Sequence, residues 1–175
     1  DWNEIILIFI RNLILAGILG LLIILLKSPI LFLIEYFFKT SQETQLLINE
    51  YISVRIFSAP AELTLYVLVG LFLGLKKTKN ASLGISIFCI GNIILSSIFV
   101  IHFNLEINGA AAGTLISAYI TIMVFLPFAY YHLKNKFYGI LTVEKIFNVK
   151  KMLKLFNINL DIFIRTVLLT FSFLW

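Results

Sequence analysis

Ala81-Ser-Leu-Gly-Ile-Ser-Ile-Phe-Cys-Ile-Gly-Asn-Ile-Ile-Leu-Ser-Ser-Ile-Phe-Val-Ile-His-Phe103 decides the fold. No Asp, Glu, Lys or Arg lies between Asn80 and Leu105. A helix needs about 20 apolar residues to cross the hydrocarbon of a bilayer, and this stretch has that length. Inside lipid the backbone must satisfy its own hydrogen bonds, so the stretch is read as a helix. Working outward, Lys76-Lys77-Thr78-Lys79 forms a basic turn before it and Asn104-Leu-Glu106-Ile-Asn108-Gly109 a tight turn after it. A run from Ala110 to His132 follows, with Pro127 near its end. A run from Ile52 to Leu75 precedes, with Pro60 in its first half. The amino-terminal run extends from Ile5 to Leu26 and continues past Lys27-Ser28-Pro29 into Ile30–Phe38. The pattern predicts an all-α, polytopic transmembrane helical bundle with spans over 5–26, 52–75, 81–103 and 110–132.

Composition agrees. Of the chain, 61% is hydrophobic and 13% charged, against about 25% charged in a soluble domain. Mean hydropathy is +1.02. A soluble enzyme is excluded, because no nucleophile–base pair, metal set or phosphate loop is present. Cys89 is the single cysteine and forms no internal disulfide. His102 and His132 have no ligand-spaced partners. The net charge of +5 does not indicate nucleic acid, since the basic residues fall between apolar runs. The chain begins at Asp1, shows no signal peptide and ends within an apolar run at Phe171–Trp175; we therefore expect a piece cut at both ends.

Residues 39–50 are polar and read as a loop. Lys134–Phe156 carries six lysines and one glutamate. Within it, Thr142–Phe156 is amphipathic, with Val143, Ile146, Phe147 and Leu153 roughly at helical period. We expect 134–157 to be a basic cytoplasmic linker lying on the membrane surface, and 158–175 to begin a further span. Arg11, the interior charge of the first run, is expected to snorkel to the headgroups. Gly17 and Gly20 would let a neighbouring helix approach closely. Both lysine-rich loops, 76–79 and 134–157, fall on one side of an alternating topology. That places them in the cytoplasm.

Within the spans, polar and small residues mark packed faces. Ser82, Ser86, Cys89, Asn92 and Ser96 fall on one side of the third span. Ala110, Thr114, Ser117 and Thr121 make a narrower stripe on the fourth. The two helices are antiparallel neighbours, so the stripes face each other or a shared cavity. Such stripes also serve as ordinary packing surfaces. Asn92 stands out, because an amide in mid-membrane needs several hydrogen bonds. Glu62 is the costliest residue to bury, at about 3 kcal/mol on insertion scales. Arg55 and Ser58 share its face. It is either paired with Arg55 or near water, or it is a protonatable, cation-binding carboxylate.

Several of these segments, in this order, resemble the MATE family of multidrug and toxin extrusion transporters, and its DinF-like branch most. They are Tyr51-Ile-Ser-Val-Arg55-Ile-Phe-Ser-Ala-Pro60, Gly70-Leu-Phe-Leu-Gly74, Gly91-Asn92, Asn108-Gly109-Ala110-Ala111-Ala112-Gly113-Thr114 and Asn159-Leu-Asp161-Ile-Phe-Ile-Arg165. Residues 1–50 match only in hydropathy and in Lys27-Ser28-Pro29. The resemblance implies two six-helix bundles around a central cavity, with this chain as helices three to six and the start of seven. The remaining helices of the full-length chain would complete the amino-terminal bundle.

It further implies a Na⁺- or H⁺-coupled antiporter in the inner membrane, without other cofactors, that exports small amphipathic or cationic molecules. By resemblance, Asn92 and Thr114 match ligands of the amino-terminal cation site, and Na⁺ is expected there. Ser96 stands where the family has an Asp, which removes a charge. Glu62, on another helix, is a candidate to replace it. Pro60, Gly109 and Arg55 are the structural or hinge candidates. A lipid-linked oligosaccharide flippase is the alternative, disfavoured by the lack of a mid-span arginine cluster. A non-transporting membrane scaffold is a third reading.

Overall fold

The computed structural model describes residues 2–37, 41–134, 136 and 146–173. The chain forms two compact units, Leu13–Lys136 and Asp1–Asn12 with Phe137–Trp175. Among the described residues four stretches are long and apolar enough to cross a membrane: Trp2–Leu25, Gln42–Gly74, Thr78–His102 and Glu106–Lys134. The protein is a multi-pass, all-helical membrane protein, as the apolar runs predict.

α1 (Trp2–Leu25) enters the larger unit from Leu13 onward and leads into α2 (Lys27–Phe37). Then come α3 (Gln42–Arg55), a single 3₁₀ turn (Ile56–Ser58) and α4 (Ala59–Gly74). Residues 42–50 are therefore helical, not a loop. Ser41 caps the helix, its hydroxyl accepting from the Thr44 amide at 3.3 Å, and Glu43 occupies the first turn. Cap and acid favour a helix start here. Asn49 Nδ2 donates to Glu35 Oε1 at 3.0 Å, tying α2 to α3.

Pro60 sits at the start of α4. Its missing N–H falls where a helix needs none. The Ile56 carbonyl that would have received that N–H accepts from the Ala59 amide instead. The interruption thus lies at 56–58, ahead of the proline, rather than inside a continuous helix.

α5 (Thr78–Ser97) passes through a π-turn (Ile98–His102) before α6 (Glu106–Lys134). The connection is shorter than 104–109, because Asn108 and Gly109 belong to the first turns of α6. Asn104 and Glu106 adopt φ of 51° and 46°, left-handed values uncommon for non-glycine residues. α6 is the central helix, with 44% of its apolar stretch buried against 6% for α5. Ala61, Leu65, Leu68 and Phe72 of α4 are buried, as are Ala111, Ala118, Phe125 and Ala129 of α6. The Phe72 and Phe125 rings meet edge to face at 5.4 Å. Adding a Cβ at Gly20 of α1 would place it 2.5 Å from the Pro60 Cα. Gly20 is the closely packed one of the two α1 glycines, since Gly17 faces open space.

The smaller unit contains the amino end of α1 and α7 (Val149–Phe173). Asn148 caps α7, accepting from the Lys151 amide at 3.1 Å. Lys151 Nζ bonds Glu4 at 2.5 Å. Asn159 Nδ2 donates to Asn12 Oδ1 at 3.3 Å. Arg11 does not snorkel. It is 2% exposed and its Nε donates to the Ile146 carbonyl at 3.0 Å. A backbone carbonyl replaces the headgroup. Of the expected amphipathic stretch Thr142–Phe156, residues 142–145 lie outside the described residues. Residues 149–156 do not form a separate helix but run unbroken into the expected next span. No Gly or Pro occurs between Val149 and Phe173 to end the helix. α7 lies outside the four apolar stretches above, and Asn157, Asn159, Asp161 and Arg165 interrupt its apolar character.

Candidate functional site

The polar seam between α5 and α6 is built on small residues. Gly109 and Gly113 are four apart on α6 and therefore on one face. A Cβ at Gly113 would lie 2.5 Å from the Ser96 amide nitrogen. One at Gly109 would lie 2.9 Å from the Phe99 carbonyl carbon. The α6 backbone thus rests directly on α5 and on its π-turn, the close approach small residues permit in membranes.

That approach brings four oxygens together. Thr114 Oγ1 donates to Asn92 Oδ1 at 3.0 Å. Ser96 Oγ donates to the same atom at 2.9 Å. The Ala110 carbonyl lies 3.1 Å from Thr114 Oγ1 and 3.4 Å from Ser96 Oγ. Thr114 is 8% exposed. Of the residues singled out from sequence, Ser96 and Thr114 thus both bond Asn92. The Ala110 carbonyl and Gly113 were not singled out as site groups, although the Gly109–Gly113 spacing was a readable signal. Every oxygen in the cluster is uncharged. Hydroxyl, amide and carbonyl oxygens are the ligand type that hard cations take, but the cluster supplies no charge to balance one.

Further along the seam, Ser117 Oγ donates to the Phe88 carbonyl at 2.7 Å. Thr121 Oγ1 turns back on its own helix to the Ser117 carbonyl, at 2.7 Å. Ser82, Ser86 and Cys89 do not join the seam and are exposed. Ser82 and Ser86 line an open groove with Thr78, Lys79 and Leu83. Gly84 and Gly91 explain the offset, because they are where α6 side chains press on α5: Phe125 at Gly84 and Ser117 at Gly91. The close-packed face follows the glycines, and only Asn92 and Ser96 of the hydroxyl-rich stripe lie near enough to reach α6.

Glu62 belongs to a different constellation. Arg55 Nη2 donates to Glu62 Oε2 at 3.0 Å, and Arg55 Nη1 donates to Oε1, making a two-pronged ion pair. The side chains are 30% and 16% exposed. Ser58, wholly buried, also contacts Arg55 Nη1 and donates to the Arg55 carbonyl at 2.6 Å. Tyr119 Oη donates to the Phe57 carbonyl at 3.2 Å. The pair spans the 3₁₀ turn, holding α3 and α4 across their break. Among the described residues no contact joins Glu62 to the Asn92 cluster. The Glu62 charge is met by Arg55.

Comparison with known proteins bears out the MATE resemblance and its DinF-like character. The chain is 29% identical over 177 residues to DNA damage-inducible protein F of Escherichia coli (strain K12), covering 94% of this chain and 36% of that protein. It is 29% identical over 155 residues to the multidrug export protein MepA of Staphylococcus aureus (strain bovine RF122 / ET3-1), covering 88% of this chain and 34% of that protein. MepA of strain NCTC 8325 matches to the same extent. The chain thus spans about a third of the length of these curated relatives. MepA is, by its name, a multidrug export protein. No family model and no solved structure matches the chain significantly.

Proposed function

We propose, for a chain similar along most of its length to MATE-type transporters, that it forms part of a cation-coupled antiporter exporting lipophilic or cationic small molecules by alternating access. The observation that carries this reading is the convergence of the Ser96 and Thr114 hydroxyls on Asn92 Oδ1. Hydroxyl and amide bonds between membrane helices also serve packing, but here two hydroxyls gather on one amide oxygen beside a backbone carbonyl. These oxygens are of the type that bind Na⁺ or relay a proton. The remaining helices of a longer chain are its partners, together with the lipid bilayer; nucleic acid is not. The lysine loops 76–79 and 134–157 orient the protein in an inner membrane with both on the cytoplasmic side.

The four oxygens are neutral, so the charge of a cation held there would have to be balanced by a group outside this cluster. Two expected results test the reading in everted vesicles carrying the full-length protein. Asn92→Ala should lower gradient-driven efflux of a fluorescent lipophilic cation at least tenfold, with membrane insertion unchanged. Efflux equal to the unaltered protein would support a scaffold role instead. Ser96→Asp should introduce a negative charge beside Asn92 and shift half-maximal efflux to lower Na⁺ concentration. An unchanged Na⁺ dependence would remove Na⁺ from the proposal and leave the proton.

A further inference from the structure

α7 begins with three lysines in its first two turns and no acidic residue in the first. They differ in their surroundings. Lys151 is bonded to Glu4, whereas Lys150 and Lys154 have no ion-pair partner among the described residues. These two are four residues apart, which puts them on one side of the helix about 6 Å apart at Cβ. Lys150, Leu153, Lys154, Asn157, Ile158 and Asp161 line one open groove along α7. The Asp161 carboxylate is engaged by Arg165 at 3.3 Å, so it leaves the two ammonium groups uncompensated. Leu153 and Ile158 are 57% and 46% exposed on the same stripe.

Two free ammonium groups beside an exposed apolar strip form an amphipathic receptor. An inorganic anion would use the lysines and leave the leucine and isoleucine wet. A soluble apolar molecule would use the strip and leave the charges. A ligand with a phosphate at one end and hydrocarbon at the other satisfies both, and a bilayer supplies it at high local concentration.

We propose that the Lys150–Lys154 stripe of α7 is a binding site for an anionic phospholipid. The headgroup phosphate lies between the two ammonium groups and an acyl chain runs over Leu153 and Ile158. This holds whatever the protein transports. It gives the basic segment a defined lipid contact rather than a general attraction to the surface.

The test uses the purified full-length protein, with retained phosphatidylglycerol and phosphatidylcholine counted by native mass spectrometry. Phosphatidylglycerol should be retained in preference. Lys150→Gln with Lys154→Gln should weaken its binding about 30-fold, at roughly fivefold per lysine near an anionic surface. Lys150→Arg with Lys154→Arg should retain it. Leu153→Ser should weaken phosphatidylglycerol binding while leaving any binding of inorganic phosphate unchanged. The proposal is overturned if the glutamine pair retains phosphatidylglycerol like the unaltered protein, or if replacing Lys76, Lys77 and Lys79 by Gln has the same effect. It is also overturned if millimolar inorganic phosphate displaces the lipid and Leu153→Ser has no effect, which would mark a free-phosphate site. Should the glutamine pair fail to fold, the Leu153→Ser result decides alone.

Discussion

Gly113→Ala is expected to be among the most damaging single-methyl additions in this chain. The new Cβ would lie 2.3 Å from Ser96 Oγ and 2.5 Å from the Ser96 amide nitrogen. A hydroxyl can rotate away, but backbone cannot, so α5 and α6 must separate. Overpacking a tight contact costs about 1–3 kcal/mol, and a clash with backbone belongs at the upper end, near ~3 kcal/mol. The separation also pulls Thr114 Oγ1 from Asn92 and the Ala110 carbonyl from Ser96 Oγ, because Thr114 and Ala110 both lie within one helical turn of Gly113. The measurement is thermal unfolding of the full-length protein in detergent, paired with vesicle efflux. Both should fall, and stability should fall even without any substrate present. Gly17→Ala, whose Cβ would meet nothing within 4 Å, is the matched control and should leave both near their starting values. If the two variants unfold alike, the seam is looser than described.

Glu62→Gln is expected to have the second-largest effect. The substitution keeps the volume but removes the charge facing Arg55, which is bound through both guanidinium prongs. Removing one partner of a fully buried pair costs about 3–5 kcal/mol, mainly by stranding the other charge. Here the side chains are 30% and 16% exposed, so water recovers part of that and about 2 kcal/mol remains. Arg55→Gln combined with Glu62→Gln should recover most of the loss, because no charge is then stranded. A double-mutant cycle on unfolding reads the coupling. If the single and double variants are equally destabilised, the pair contributes packing rather than charge. A carboxylate that instead bound the transported cation would make Glu62→Gln abolish efflux without lowering stability.

These two sites also mark how far residue patterns reach. The Arg55–Glu62 pair was one of two readings open from sequence, since a shared helical face allows a pair without requiring it. In the structure the two side chains do pair, across the 3₁₀ turn at 56–58. Tightening the backbone there, just ahead of Pro60, sets Arg55, Ser58 and Glu62 in one cluster. Ser82, Ser86 and Cys89 went the other way. They share a helical side with Asn92, but the seam is centred on Gly84 and Gly91, and rotation about α5 leaves them exposed.

The apolar runs and the lysines between them were enough to establish an all-helical membrane bundle. Lipid allows only helices and closed barrels, and unbroken apolar runs of about 20 residues fit a helix rather than a barrel strand. Of the candidate trio, Asn92 is conspicuous by type as an amide in mid-span, whereas Ser96 and Thr114 stood out from the other hydroxyls only through the family resemblance. Their convergence on a single oxygen was not legible, nor was the part played by the Ala110 carbonyl. Both depend on how closely and at what rotation α6 lies on α5. That is set by which glycines meet which backbone atoms, Gly113 against Ser96 and Gly109 against the π-turn. Hydropathy cannot rank one small residue over another, because in lipid the contact is won by shape and not by aversion to water.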